Sequence, residues 1–243
     1  MALNPAASDP TAPNPTASDP TAPDSLSAAE PGYEQDWHAW HTAYDEPRSP
    51  LAQRLAVVQA RITDALDAAP AGPLRVISMC AGQGRDLIPV LARHPRGPDV
   101  SARLVELDPA LAATARQRAA DHRLPGVEVV TGDAALTGAY TGLVPADLVL
   151  ACGVFGNVPD ADIKRTVRCC GQLCAEGGTV VWTRGRMAPD KVPLICDWFG
   201  EQGFELRWLS VPWVRYGVGM HRHTRQPGPL AAGLRMFSFT GPD

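Results

Sequence analysis

The run Val76-Ile-Ser-Met-Cys-Ala-Gly-Gln-Gly-Arg-Asp-Leu87 limits what this chain can fold into more than any other stretch. A short apolar run stops at a glycine turn, and an apolar-periodic segment (Leu87, Ile88, Val90, Leu91) comes after it. The order is strand, turn, helix, which opens a doubly wound α/β domain and cradles a phosphate or a nucleoside. Gly82 and Gly84 can take positive φ and let backbone approach a ligand closely. A helix beginning near Arg85 aims unsatisfied N–H groups into that turn.

A Gly-x-Gly also fits a tight connection with no ligand, so the weight rests on the acidic end of the next strand. Ser101-Ala-Arg-Leu-Val-Glu-Leu-Asp108 reads as that strand, and Glu106 lies 22 residues beyond Gly84. A carboxylate about 20 residues after the glycines is where such folds hold a ribose. Pro109 then opens a helix at its first position, with Asp108 as N-cap.

The order of elements resembles class I S-adenosylmethionine-dependent methyltransferases, from about Leu74 to Phe239. Val127-Glu-Val-Val-Thr-Gly-Asp-Ala134 resembles the third strand with its terminal Asp-Ala. Ala146-Asp-Leu-Val-Leu-Ala-Cys-Gly-Val-Phe-Gly-Asn157 is similar to the fourth, and Leu173-Cys-Ala-Glu-Gly-Gly-Thr-Val-Val-Trp182 to the Gly-Gly turn into the fifth. The resemblance implies an α/β fold with a seven-stranded, mostly parallel, doubly wound sheet, a final antiparallel strand at 234–239 and an N-terminal helical lid. It implies S-adenosylmethionine as cofactor, held by Tyr44, Ser78, Cys80, Ala81, Gly82, Gly84, Asp86, Glu106, Leu107, Asp133, Ala134, Cys152 and Gly153. In the family the residue matching Asp133 accepts from the adenine amino group, and the next backbone N–H meets the ring. Two positions depart from the pattern: Ser78 stands where an acid usually closes the first strand, and Cys80 replaces the first glycine of the turn. Asp86 or Asp45 is the expected substitute for the missing carboxylate near the methionine ammonium.

At 243 residues and 45% apolar content, one domain with a full core is expected. A net charge of −4 gives no sign of a phosphate-backbone partner. No run reaches the ~18 apolar residues of a membrane span, and no secretory segment opens the sequence. The reading is a cytoplasmic protein with a small-molecule acceptor, no nucleic-acid partner and no membrane. Its six cysteines lack metal-finger spacing and read as reduced thiols, three of them (Cys169, Cys170, Cys174) on one helix; no metal site is expected.

Three segments divide the chain: a tail at 1–28, a helical lid at 29–70 and the cofactor-binding domain at 71–243. The tail carries NPAASDPTAP at 4–13 and NPTASDPTAP at 14–23, a polar, proline-rich repeat with nothing to form a core. Trp37, Trp40, His41 and Tyr44 share a helical face, which either packs or folds over the cofactor. Ser49-Pro50 starts the next helix, whose stripe of Leu51, Leu55, Val58, Ile62 and Leu66 is core packing. Pro212-Trp-Val-Arg-Tyr-Gly-Val-Gly-Met-His-Arg-His223 reads as a long loop, and long loops in small domains are often functional. His221 and His223, an alternating His-x-His, and then His41 are the candidate bases for catalysis, although a hydrogen-bonded loop histidine is the favoured reading of His221. Phe155 is either core or the rim of the acceptor site.

Methyl transfer to an oxygen, nitrogen or carbon nucleophile is the function implied. The alternatives are an NAD(P)-dependent oxidoreductase, disfavoured because Leu87 occupies the third glycine position of its fingerprint, and a cofactor-binding protein of the same fold without methyl transfer.

Overall fold

A computed structural model describes residues 43–240. Seven strands form one sheet: β1 (Leu74–Met79), β2 (Val100–Glu106), β3 (Val127–Thr131), β4 (Ala146–Ala151), β5 (Cys174–Gly185), β6 (Phe204–Leu209) and β7 (Tyr216–His223). Their order is β3-β2-β1-β4-β5-β7-β6. β1 to β5 pair in parallel, and β7 runs antiparallel to both of its neighbours. Helix α1 (Pro50–Ala68) precedes β1, and four helices connect strands: α2 (Ile88–Leu91), α3 (Pro109–Asp121), α4 (Asp160–Leu173) and α5 (Val192–Glu201).

Alternation along the central strands explains the layers. Val76 faces one side with Leu104, Leu148 and Val181, where Val58, Ile62 and Leu66 of α1 cover them. Ile77 and Met79 face the other side with Val149 and Trp182, under Ile163 and Val167 of α4 and Phe199 of α5. Strands covered on both faces read as continuous apolar runs, as β1 and β4 do. The Ser49-Pro50 start holds as expected: the Ser49 hydroxyl accepts from the Ala52 N–H at 3.0 Å. Asp108 likewise caps α3, accepting from Ala110 and Leu111.

Three expectations are corrected. The antiparallel strand is Tyr216–His223, within the supposed loop, and not residues 234–239. Its glycines are demanded by its neighbour: a Cβ on Gly219 would lie 2.3 Å from the Trp182 ring. The helix after the first turn does not begin near Arg85, since 84–87 stays a turn and α2 is a single turn from Ile88. Helix α4 stops at Leu173, so Cys174 opens β5, and Gly177-Gly178 lie inside that strand where its register against β4 shifts.

All six cysteines are free thiols. No helix among the described residues is long and apolar enough to cross a membrane. The repeat at 4–23 and the face formed by Trp37, Trp40 and His41 lie outside the described residues.

Candidate functional site

The strand order reverses between β1 and β4, and a cavity of about 620 Å³ opens at the carboxyl ends of the strands around that point. Open α/β sheets bind their ligands at such a crevice. The turn after β1 forms its floor. Cys80, Gly82 and Gly84 have φ of 49°, 54° and 66°, so the left-handed conformation recurs at every second residue. Cysteine in that region costs about 1–2 kcal/mol that glycine would not. Backbone bonds from Ala81 to Val105 and from Gly84 to Ala81 hold the turn in place.

Glu106 ties this turn to the end of β2. Its Oε2 accepts from the Gly82 N–H at 2.7 Å and its Oε1 from the Asp108 N–H at 2.9 Å. An ionised carboxylate offers about four lone-pair positions, so roughly two remain for hydroxyls in the cavity. Asp133 is fixed in a similar way: Oδ1 accepts from the Ala135 N–H at 2.9 Å and Oδ2 from Arg235 at 2.8 Å. Ala134 lies beside it, its carbonyl accepting from Tyr140. At the end of β4, Cys152 and Gly153 line the cavity, and the Gly153 N–H donates to the Thr183 hydroxyl at 2.8 Å.

Arg54, Tyr44 and Asp86 form a further charged part of the wall. Arg54 of α1 donates to the Tyr44 hydroxyl at 3.1 Å, and Asp86 faces the same space. Burial lifts the Asp86 carboxyl to about 6, although the Leu87 N–H and the nearby Arg54 both pull it down. Burial also raises the Tyr44 phenol and the Cys80 and Cys152 thiols, which keeps all three protonated. Asp45 bonds Arg85 at 2.6 Å, and that guanidinium holds its carboxyl below the usual range.

Of the residues expected at the cofactor, the structure brings Tyr44, Cys80, Ala81, Gly82, Asp86, Glu106, Leu107, Asp133, Ala134, Cys152 and Gly153 to one cavity. Ser78 and Gly84 do not line it. Ser78 is sealed in the sheet, its hydroxyl without a partner. Gly84 serves packing, because a Cβ there would meet Ile88 at 2.5 Å and Leu104 at 3.1 Å.

His221 is corrected more sharply. It sits on β7 inside the core, 1% exposed, with its ring stacked 4.5 Å from Phe199 and its Nδ1 accepting from the Trp182 indole. Burial lowers it to about 4, and it does not reach the cavity. His223 bonds the Cys174 carbonyl and stacks on Phe204, so the His-x-His pair is part of the core. Among the described residues no cluster of three potential metal ligands exists. Phe155 is core as well, fully buried against Trp182 and Phe199.

The sequence reading missed Arg54, Thr183, Arg235, Ser238 and Phe239 at the cavity. Arg54 lies beside a stripe read only for packing. The last three belong to a segment read as a strand.

Residues 78–180, less than half of the chain, match the family model described as a methyltransferase domain. Among solved structures the chain is similar to an O-methyltransferase family protein from Burkholderia thailandensis, at 19% identity over 74% of this chain and 60% of that one, with a TM-score of 0.53. It is also similar to magnesium protoporphyrin IX methyltransferase from Synechocystis PCC 6803 with bound SAM, at 16% identity over 77% and 91%, with a TM-score of 0.59. A third is a TehB-like SAM-dependent methyltransferase from Corynebacterium glutamicum, at 18% identity over 72% and 96%, with a TM-score of 0.51. The chain thus spans less than two thirds of the Burkholderia protein. No curated protein matches it by sequence. Residues 78–180 thus resemble a methyltransferase domain by sequence, and these solved structures share the fold described above, a mostly parallel seven-stranded sheet with one antiparallel strand.

Proposed function

We propose that this chain is a class I S-adenosylmethionine-dependent methyltransferase acting on a small-molecule acceptor, and that the cavity residues named above hold its cofactor. The carrying observation is the cavity itself: about 620 Å³, lined by the backbone turn, Glu106, Asp133, Thr183 and Phe239. That volume lies in the range that encloses drug-sized ligands, and a net charge of −4 disfavours a polyanionic acceptor.

The residues fit the cofactor. The left-handed turn lines the cavity with Cys80, Ala81 and Gly82, and Glu106 keeps acceptor positions for ribose hydroxyls. Asp133 and the N–H of Ala134 match the amino edge and ring of adenine. Asp86 and Arg54 stand together in the charged part of the wall, where opposite signs suit the ammonium and carboxylate of an amino acid. Asp86 thereby replaces the acid absent at Ser78, whereas Asp45 is engaged by Arg85.

When bound, the cofactor supplies an electrophilic methyl group on a sulfonium. The protein's contribution is to hold an acceptor in line with it, an effect worth up to about 7–11 kcal/mol. Cys152, Gly153 and Thr183, at the ends of β4 and β5, border the acceptor in this reading. With His221 and His223 in the core, His41 is the remaining histidine proposed to take a proton where the acceptor carries one.

Calorimetric titration with S-adenosylmethionine and with NAD tests the cofactor, and labelled methyl donor in a cell extract tests the acceptor. Label in the low-molecular-weight fraction is the expected result. Label in protein or RNA alone would refute the small-molecule reading.

A further inference from the structure

Beyond β7 the chain turns back and runs along the cavity. Residues 231–240 bond to three separate parts of the fold. The Thr137 N–H donates to the Leu234 carbonyl and the Met236 N–H to the Ala135 carbonyl, both on the segment after β3. The Ser238 N–H donates to Asp162 of α4 at 2.8 Å, and the Thr240 N–H to the Asn157 carbonyl after β4. Met236 and Phe237 are buried, which fastens this strap independently of any charge. The strap lies outside the residues matched by the methyltransferase-domain family.

Arg235 is the part of the strap that folding does not explain. Its side chain is 50% exposed and that of Asp133 is 32% exposed, and ion pairs so solvated contribute little to stability. Both residues line the cavity. With Ala135 bonded to one carboxylate oxygen and Arg235 to the other, the Asp133 carboxylate is held at both ends. A carboxylate fixed in this way only accepts: it takes an amino group and repels a carbonyl oxygen. A loosely held one can rotate or draw a water between itself and the wrong group.

We propose that Arg235 is a positioning residue for nucleoside selectivity, holding Asp133 so that the cavity takes a 6-aminopurine and rejects a 6-oxopurine. This rests on the reading that adenine lies against Asp133 and Ala134.

The test titrates the full chain, as wild type, Arg235→Ala and Arg235→Lys, with S-adenosylhomocysteine and with S-inosylhomocysteine, its 6-oxo counterpart. Wild type prefers the adenine compound. Arg235→Ala loses about tenfold of that preference, as expected for a weakened bond to a charged group, while its melting temperature stays close to wild type. Arg235→Lys restores most of the preference, because an ammonium can still hold the carboxylate. An unchanged preference in Arg235→Ala, with or without a lower melting temperature, overturns the proposal and leaves Arg235 a structural tie. A preference that grows in Arg235→Ala overturns it too, since the guanidinium would then be attracting the carbonyl. A wild type that binds S-adenosylhomocysteine without preferring it defeats this proposal alone. A wild type that binds neither compound defeats the cofactor-site reading beneath it as well.

Discussion

Replacing Glu106 by glutamine separates a carboxylate that builds the turn from one that merely faces it. Both oxygens of Glu106 accept from backbone N–H groups, Gly82 on one side at 2.7 Å and Asp108 on the other at 2.9 Å. Glutamine has nearly the same shape but only one accepting atom, so its NH₂ must face one of these donors. One bond to a charged acceptor is lost, worth about 1.5–3 kcal/mol, and one N–H is left facing another donor. The site is 8% exposed, so water cannot easily make up the loss. The apo protein should therefore melt about 5–10 °C lower, at roughly 2–4 °C per kcal/mol for a domain of this size. Affinity for S-adenosylhomocysteine should fall as well, because an amide offers fewer lone pairs to ribose hydroxyls. Differential scanning calorimetry and isothermal titration read the two effects separately. A Glu106→Gln variant that melts and binds like wild type would refute the shared-carboxylate reasoning. Lost affinity with unchanged melting would leave Glu106 a ligand contact and nothing more.

Three further outcomes are expected. The folded-state value of Asp86, about 6, lies above the ordinary 3.8, so its contribution favours the apo fold below pH 3.8 and is lost as pH rises through 6. An ammonium ligand reverses that preference: affinity for S-adenosylhomocysteine should climb with pH up to about 6 and then level, while 5′-methylthioadenosine, which lacks the amine, and the Asp86→Asn variant should show a flat profile; a flat wild-type profile would contradict the assignment. His221 has the opposite sign, a folded value of about 4 below the ordinary 6.5, so its contribution is present above pH 6.5 and drains away as pH falls to 4. His221→Phe should flatten that part of the acid-unfolding curve, and an identical curve would show that other groups govern it. Gly219→Ala should destabilise by about 1–3 kcal/mol through overpacking, since the new Cβ meets a rigid indole at 2.3 Å; a wild-type melting temperature would mean that Trp182 moves freely aside.

Local chemistry makes much of this molecule legible. Apolar strands ending in Gly-x-Gly, Glu106 and Asp133-Ala134 each carry a backbone or carboxylate signature that no distant residue alters, and Gly82, Glu106, Asp133 and Ala134 meet at the cavity. Caps at Ser49 and Asp108 are readable for the same reason. What escapes depends on partners far along the chain. Tyr216–His223 reads as a loop because glycine and histidine alternate with larger residues. Trp182 and Phe199 fill the core over that face, so only small or flat side chains fit there. The alternation of Leu234, Met236 and Ser238 resembles a strand, and its backbone does bond a neighbour, but that neighbour is the segment after β3 and not the sheet edge. Arg54 and Arg235 carry no local signal at all. Their meaning comes from Asp86 and Asp133, which the fold brings alongside.

The strap's place in the sequence bears on how the protein is made. Domains assemble progressively as synthesis proceeds from the N-terminus. All seven strands are translated before residues 231–240, so the wall of the cavity that carries Arg235 and Phe237 is made after the whole sheet. Competence to bind then arrives after the scaffold, and a polypeptide cut before residue 231 would lose two core side chains, Met236 and Phe237, together with that wall.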